Sequence, residues 1–230
     1  MSNKGRRKRP ASPPVKGRKT RETIVERAMH VAASEGLAAI SIGRLAQDLR
    51  MSKSGLFIHF GSKEKLQVAI IERAGSIFSG HVLEPAADEV ESGIERVWAL
   101  CDHWLEFIEH RVLPGGYFFT GALVVYAEQH DLVAQRIREV VKEWHKALRK
   151  AVNEARQGFE LRVEVDAERT AFELHGLLLG AQWSRLLDHL DHSKARQAIL
   201  AKLKSLATHK IPPDAFESTT AWQHYLRTRN

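Results

Sequence analysis

The chain is poor in cysteine and has no long apolar run. Cys101 is its only cysteine in 230 residues, which excludes a disulfide within the chain and suits a reducing compartment. No stretch approaches the roughly 20 apolar residues that a membrane-spanning helix requires. The pair Arg6 and Arg7 is not followed by the apolar run of about 7–15 residues that an export signal needs. These absences predict a cytoplasmic protein that does not bind a membrane.

The sequence also lacks the alternation of apolar and polar residues that is typical of strands. Apolar residues recur at helical spacing instead, and their share of 43% is enough for a small domain joined to a larger one. The predicted fold class is therefore all-α, with a small N-terminal head and a larger helical body. Helices are predicted over 20–35, 42–49, 53–59, from 63 onward, 91–110, 117–128, 131–157, 167–190 and 193–208, with a loop at Pro85.

Four segments follow from these boundaries. Residues 1–19 are predicted as a disordered basic arm and 20–64 as a three-helix head. Residues 65–208 are predicted as the helical body. Residues 209–230 form a tail that contains Trp222 and whose role the sequence leaves open.

Positive charge is concentrated at the N terminus. Residues 1–21 hold nine Lys and Arg and no acid, whereas the remaining chain has 26 Lys and Arg against 28 Asp and Glu. Such an arm can neutralise DNA phosphates or place Arg in a minor groove. Its Ser and Pro content also fits a disordered, solubilising tail, so both interpretations stay open.

The segment 40–64 contains three helix starts and two breaks. Ser41 precedes a short apolar repeat, and its hydroxyl is expected to cap that helix. Ser52 is expected to cap a second helix over 53–59, which Gly61 ends. Two short helices joined by a tight turn are typical of a helix-turn-helix, whose second helix enters a DNA major groove.

The second of these helices has a face of small or hydrogen-bonding side chains. An ordinary surface helix is rich in long helix formers, whereas this one has a helix-weakening glycine in its first turn. Small side chains allow close approach to another surface. The face consists of Lys53, Ser54, Gly55, Ile58 and His59.

Residues from Thr20 to about Ala74 resemble the TetR family of bacterial transcriptional regulators. The matching residues are Ser41, Leu45, Ala46, Ser52, Ser54, Gly55, Phe57, His59, Phe60, Ser62, Lys63, Glu64 and Leu66. Three positions depart from the family pattern: Arg50 replaces a common turn glycine, and Phe57 replaces a tyrosine whose hydroxyl contacts phosphate. The third is Gly43, where many members carry an Arg or Thr.

The resemblance implies a DNA-binding transcriptional regulator that is not an enzyme. Its expected partners are a palindromic double-stranded DNA operator, a second copy of the chain and a small-molecule effector that releases a repressor from DNA. The implied base contacts are Lys53, Ser54, Gly55 and Ile58. The implied phosphate contacts are Ser52, His59 and Lys63, to which Ser41, Arg18 and Arg21 are added.

The body is rich in aromatic residues, and the resemblance implies an effector pocket among them. The predicted lining is Trp98, Trp104, Phe107, Tyr117, Phe118, Tyr126, Trp144 and His175. Aromatic residues at helical spacing are also ordinary core, which is the alternative for about half of them. The segment Pro114-Gly115-Gly116 resembles a Pro-Gly-Gly-Cys subgroup of the family, with Tyr117 in place of the cysteine.

The helix over 167–190 carries two apolar stripes, and the final helix over 193–208 carries a comparable one. A twofold four-helix interface between two copies of the chain would cover the surplus stripe. The predicted dimer residues are Phe172, Leu179, Trp183, Leu186, Ile199 and Leu203. In the alternative, both stripes pack within one chain.

Other functions have weaker support. His189 and His192 have a spacing that could chelate a metal, but they lie at a predicted loop without cysteine, so no metal or cofactor is expected. No nucleophile motif surrounds Cys101. The remaining alternatives are a sequence-indifferent DNA organiser that relies on the basic arm, and a small-molecule carrier or enzyme with a vestigial head.

Overall fold

The computed structural model of the chain describes residues 15–113, 118–188 and 192–229. This part of the chain is helical and contains no strand, only an isolated bridge between Leu161 and Ala207, so the predicted all-α class is confirmed. The α-helices are α1 (Val15–Glu35), α2 (Ile42–Asp48), α3 (Lys53–Phe60), α4 (Lys63–Phe78), α5 (Glu84–Glu89), α6 (Ile94–Glu109), α7 (Phe118–Tyr126), α8 (Leu132–Gln157), α9 (Ala167–Asp188), α10 (Ser193–Leu206) and α11 (Thr219–Arg229). Within the described ranges, no helix has the length and apolarity to span a membrane.

The head is built on α1, which packs against α4 and supports α2 and α3 from behind. Its core includes Ile24, Leu45 and Leu56, each at most 1% exposed. Helix α1 begins at Val15, so the predicted disordered arm is too long by residues 15–19. Residues 1–14 of that arm lie outside the described part.

The chain leaves α4 without the predicted loop at Pro85. A π-helical turn at Ser79–Leu83 leads directly into α5, and Pro85 lies in the first turn of that helix. This position tolerates proline because a first-turn N–H has no partner within the helix. The break comes at Gly93, whose φ of 90° suits glycine. The Glu160 carboxylate occupies the space of a β-carbon there and accepts a hydrogen bond from the Ile94 N–H at 2.8 Å.

Helix α8 is the centre of the body and packs against α4, α6, α7 and α9. Its apolar stripe is buried as the spacing predicts. The buried members of this stripe are Val133, Ile137, Val140, Trp144, Leu148, Ala151, Val152 and Ala155. Val141, which also belongs to the predicted stripe, is half-buried. The start of α8 is fixed by Asp131, whose carboxylate accepts from the Ala134 N–H at 2.8 Å.

The C-terminal tail folds back onto the body. Trp222 of α11 is fully buried, and its ring centroid lies 6.1 Å from that of Trp98 and 5.0 Å from that of Phe216. Arg196 ties α10 to α6, donating to Asp102 at 2.6 Å and to Glu109 at 3.0 Å. The described part of the tail, which ends at Arg229, therefore packs on the body through Trp222.

Candidate nucleic-acid interface and body cavity

Helix α3 is fixed at both ends and exposes one face. The Ser52 hydroxyl accepts from the Gly55 N–H at 3.0 Å, and Gly61 ends the helix in the left-handed conformation at φ 75°. Leu56 and Phe60 are buried, whereas Ile58 is 82% exposed. The sequence predicts this local geometry correctly.

The four predicted base-contact residues lie on this helix, and two glycines determine how they are placed. Lys53, Ser54 and Ile58 are exposed, and Gly55 is half-buried. A β-carbon on Gly55 would lie 3.0 Å from the Ser52 hydroxyl, so a larger residue at this position would crowd the helix cap. A β-carbon on Gly43 of α2 would lie 3.2 Å from Lys53 Cε, so the lysine stem crosses α2 at this glycine.

The predicted phosphate contacts surround α3 in different environments. Ser41 makes no side-chain cap bond, so its predicted capping role is wrong and its hydroxyl stays exposed. Lys63 Nζ donates to the Ala38 carbonyl at 2.9 Å while remaining exposed. The Arg21 guanidinium lies 5.0 Å from the centroid of the Phe60 ring, beside the half-buried His59.

The side chain of Arg18 lies outside the described atoms, and Ser52, which is exposed, uses its hydroxyl as an acceptor in the cap. Among the exposed cations near α3, Arg44 is paired with Glu35 and Arg27 with Asp48. Within the described residues Lys53 has no ion-pair partner.

Arg50 adopts a left-handed conformation at φ 53° in the turn between α2 and α3. This is the position at which glycine is common in the family, and the backbone explains why. A β-carbon in this conformation approaches the following carbonyl oxygen and costs about 1–2 kcal/mol. The sequence alone identified the departure but not its conformation.

A cavity of about 140 Å³ lies in the body between the end of α4 and α6, α7, α8 and α9. It is lined by Phe78, Trp104, Phe107, Ile108, Leu113, Phe118, Phe119, Thr120, Leu123, Val140, Val141, Trp144, His175, Leu179 and Gln182. The predicted residues Trp104, Phe107, Phe118, Trp144 and His175 are therefore brought together.

Three predicted pocket residues are not among the described lining residues of this cavity. Trp98 packs against Trp222 instead, because α11 covers that side of α6. Tyr126 lies at the end of α7, where Gln67 Nε2 donates to its hydroxyl at 3.0 Å. Tyr117 and the preceding Pro-Gly-Gly lie outside the described residues, so the subgroup resemblance stays a prediction. The lining missed from the sequence includes Gln182, a buried polar residue on an otherwise apolar helix face.

Helix α9 exposes an apolar stripe at the spacing of one helix face. Phe172, Trp183 and Leu187 are 73%, 56% and 76% exposed. Between them lie Gly176 and Gly180, both exposed, with no atom within 4 Å of an added β-carbon. The stripe therefore combines large apolar side chains with two glycines that leave open space between them.

The predicted dimer residues are only partly on this surface. Ile199 and Leu203 are fully buried within the chain, so their assignment to a dimer surface is wrong: the apolar face of α10 packs against its own α9 and α6. Leu179 lines the cavity. The side chain of Leu186 lies outside the described atoms.

Two family models match this chain. Residues 24–70 match the model described as bacterial regulatory proteins, tetR family, and residues 93–199 match the tetracyclin repressor-like C-terminal domain. The matched segments together exceed half of the 230 residues and include α3 and most of the cavity wall. The chain belongs to the TetR family of transcriptional regulators.

Individual relatives of this TetR-family chain are distant. An HTH-type transcriptional regulator of Staphylococcus aureus (strain MRSA252) is 31% identical over 97 residues, which is 42% of this chain and 52% of that protein. The chain thus spans about half the length of this curated relative. A TetR regulator from Chloroflexus aurantiacus matches with a TM-score of 0.75 and 23% identity, over 84% of this chain and 98% of that one.

A further solved structure is that of AibR in complex with isovaleryl coenzyme A and operator DNA. It matches with a TM-score of 0.63 and 23% identity, over 81% of this chain and 97% of that one. At these identities the similarity to solved structures establishes the fold.

Proposed function

We propose that this TetR-family regulator is a repressor that binds a partly palindromic operator as a homodimer and is released by a small-molecule effector. The observation that carries the proposal is the capped helix α3, whose exposed face includes Lys53, Ser54 and Ile58. A helix of this kind fits the major groove, where lysine can donate to guanine and an apolar side chain can contact the thymine methyl group.

Phosphate contacts would hold α3 in register. The α4 N-terminus begins beside α3 with a Ser62 cap, its hydroxyl accepting from the Lys65 N–H at 3.1 Å, and with exposed Lys63 and Lys65. Lysine side chains and the positive end of a helix dipole both favour a phosphate there. Ser41, Ser52, His59, Arg18 and Arg21 are the further candidates for phosphate contact.

The exposed stripe of α9 supports the homodimer. A fixed spacing between two copies of α3 is what a palindromic operator requires, since one helix in one groove contacts only a few base pairs. This stripe could pack against its own copy, because the large side chains of one chain could fit over the glycines of the other. The large side chains are Phe172, Trp183 and Leu187, and the glycines are Gly176 and Gly180. The predicted dimer surface is thereby narrowed to α9, with Phe172 and Trp183 retained.

Helix α4 supports effector release, because it belongs to both sites. Its N-terminus carries the proposed phosphate contact Lys63, and its last residue, Phe78, lines the body cavity. An effector that favours a different position of Phe78 would change the orientation of α4 and the spacing of the two heads. AibR, a protein of similar fold, was solved with both isovaleryl coenzyme A and operator DNA.

The test is DNA binding by the full chain to the region upstream of its own gene, with scrambled DNA of equal length as competitor. The proposal predicts discrimination between the two. Equal binding to both would favour a sequence-indifferent organiser, and absence of binding to either would favour a carrier or enzyme with a vestigial head. A chain that lacks the basic arm should keep its discrimination if α3 provides the specificity.

A further inference from the structure

The body cavity has an apolar wall with a small polar group set into one side. Among the described lining residues, the polar side chains apart from tryptophan are Thr120, His175 and Gln182, and none of the lining residues is an Asp, Glu, Lys or Arg. Charged ligands would lose their hydration in such a site without gaining a partner charge. The described wall therefore favours an uncharged ligand.

The hydrogen bond between Trp144 and His175 determines which ring nitrogen of His175 carries the proton. Trp144 Nε1 can only donate, and it lies 3.0 Å from His175 Nδ1. His175 Nδ1 must then be the unprotonated nitrogen, so Nε2 carries the hydrogen. Burial, and secondarily the neighbouring His145 ring, lower the pKa of His175 to about 4, which keeps this tautomer neutral near neutral pH.

The remaining His175 nitrogen is available to a ligand. The His145 ring lies 4.5 Å from the His175 ring centroid in an edge-to-face contact, and within the described part of the chain no protein acceptor is bonded to His175 Nε2. His175 is half-buried, and an N–H group without a protein acceptor can donate to an acceptor on a ligand. His175, which lines the cavity, thus has one N–H donor for a ligand acceptor.

A second polar contact limits the orientation of the neighbouring amide. Thr120 Oγ1 donates to Gln182 Oε1 at 3.1 Å, which joins α7 to α9 across the cavity wall. The carbonyl end of the Gln182 amide is therefore directed to Thr120. This bond occupies the Thr120 hydroxyl proton and one lone pair of the Gln182 carbonyl.

The size of the cavity limits the ligand group that it encloses. Its volume of about 140 Å³ is close to that of an apolar cavity of roughly 150 Å³ that holds benzene. One ring, or a branched chain of similar bulk, fills it. Larger effectors would have to extend beyond the described walls.

We propose that the cavity selects an uncharged, compact, apolar group that carries a hydrogen-bond acceptor such as a ketone or ester oxygen, and that His175 Nε2–H is the specificity-determining donor. The inference rests on the proposed function only in taking this cavity as the effector site. Trp144 is the positioning residue, because its indole N–H holds His175 in the donor tautomer.

The experiment measures binding of three ring-sized probes to the full chain by calorimetry at neutral pH: cyclohexanone, methylcyclohexane and cyclohexylamine. Cyclohexanone should bind, and cyclohexylammonium should bind at least about tenfold more weakly. His175→Phe should reduce the preference for cyclohexanone over methylcyclohexane by about fivefold, the equivalent of one hydrogen bond. His145→Phe is the matched control: His145 does not line the cavity, and phenylalanine keeps an aromatic ring against His175, so the preference should be unchanged.

Imidazole nitrogen NMR of the unmodified chain provides a readout that does not depend on how a variant folds. His175 should be in the Nε2–H form, and its Nε2 resonance should shift with cyclohexanone but not with methylcyclohexane. The Nδ1–H tautomer, tightest binding of the ammonium probe, or an unchanged preference in a folded His175→Phe chain would each overturn the proposal. No DNA is present, so these results are independent of whether an operator is bound or released.

Discussion

At the scale of single residues, the head differs from a simple set of exposed basic side chains. Lys53 lies against Gly43, Lys63 is bonded to the Ala38 carbonyl, and the Ser52 hydroxyl already caps α3. Each of these side chains is held in place before DNA arrives, which lowers the entropy lost on binding. The contribution of each residue therefore depends on what it contacts in the free chain.

The two lysines are expected to differ in DNA binding. Lys53→Ala should weaken binding to operator DNA more than to scrambled DNA, because a base contact is lost. Lys63→Ala should weaken both equally and reduce the salt slope by about one unit, because a phosphate contact is lost. Fluorescence anisotropy titrations over a range of salt concentrations test this, and equal losses on both DNAs for both variants would show that Lys53 does not contact bases.

Arg50 is expected to lower the stability of the chain, because a residue with a β-carbon is strained at this turn position. Because its φ is 53°, Arg50→Gly is expected to raise the free energy of unfolding by about 1 kcal/mol. Arg50→Ala is the control: it removes the charge but keeps the β-carbon, so no gain is expected. Urea denaturation measures both, and a similar gain in the alanine variant would assign the effect to charge.

His175 should make the chain less stable in acid. Its pKa is lowered to about 4 chiefly by burial, so between about pH 6.5 and 4 the unfolded chain binds a proton that the folded chain does not. Stability should therefore fall as the pH falls through that window. The melting temperature of His175→Gln should depend less steeply on pH there, whereas an unchanged slope would contradict the assignment.

At the scale of elements, the spacing of apolar residues predicts where helices lie but not which other elements they pack against. The limits of α3 and α8 follow from caps and apolar periodicity, which are local signals. An apolar stripe does not specify what covers it, so Ile199 and Leu203 were assigned to a partner although they pack within the chain. The π-turn after α4 has no local signal, since Pro85 predicts a break and the first-turn position of this proline becomes visible only in the fold.

The same limit applies to the candidate site. The residues of α3 are contiguous in sequence and could be predicted, whereas the cavity wall is assembled from five helices. Trp98 and Trp104 look equivalent in sequence, but α11 covers only the first. Separating them required the position of the tail, which no pattern in the sequence indicates.

One hydrogen-bonded residue joins the head to the body at the element scale. Buried Gln67 on α4 donates both to the Leu37 carbonyl in the head and to the Tyr126 hydroxyl at the end of α7, each at 3.0 Å. Helix α7 also contributes Phe118, Phe119 and Thr120 to the cavity wall. Gln67 therefore links α7 and the head through α4.

Loss of this link should reduce stability in a graded way. Tyr126→Phe removes one bond and is expected to lower the free energy of unfolding by about 1 kcal/mol. Gln67→Leu should cost more, about 2 kcal/mol, because it also leaves a buried carbonyl and a buried hydroxyl without this donor. Urea denaturation compares the two, and a leucine variant no less stable than the phenylalanine variant would contradict the role of Gln67.

At the scale of the whole molecule, three exposed large apolar side chains, Phe172, Trp183 and Leu187, lie in a row on α9. A row of large apolar side chains on one helix face is unusual on a monomer and is typical of an interface. The adjoining exposed face of α10 carries polar side chains such as Lys194, Gln197 and Lys204. A partner copy would thus have an apolar centre on α9 and a polar rim on α10.

The assembly can be tested by placing a charge in that centre. Trp183→Glu and Leu187→Glu are each expected to weaken self-association by at least about tenfold, because an unpaired carboxylate would be buried. Val163→Glu is the matched control, since Val163 is 79% exposed and lies outside α9. Sedimentation velocity over a concentration series measures the effect, and equal behaviour of all three variants would place the interface elsewhere.

The length of α4 has a mechanical consequence. From Lys63 to Phe78 the helix covers fifteen steps, or roughly 22 Å at the usual rise per residue. A rotation of only ~5° about its cavity end would carry the opposite end through ~2 Å, comparable to the reach of a hydrogen bond. Under the proposed mechanism, α4 would therefore convert a small adjustment around Phe78 into a displacement large enough to break the proposed phosphate contacts.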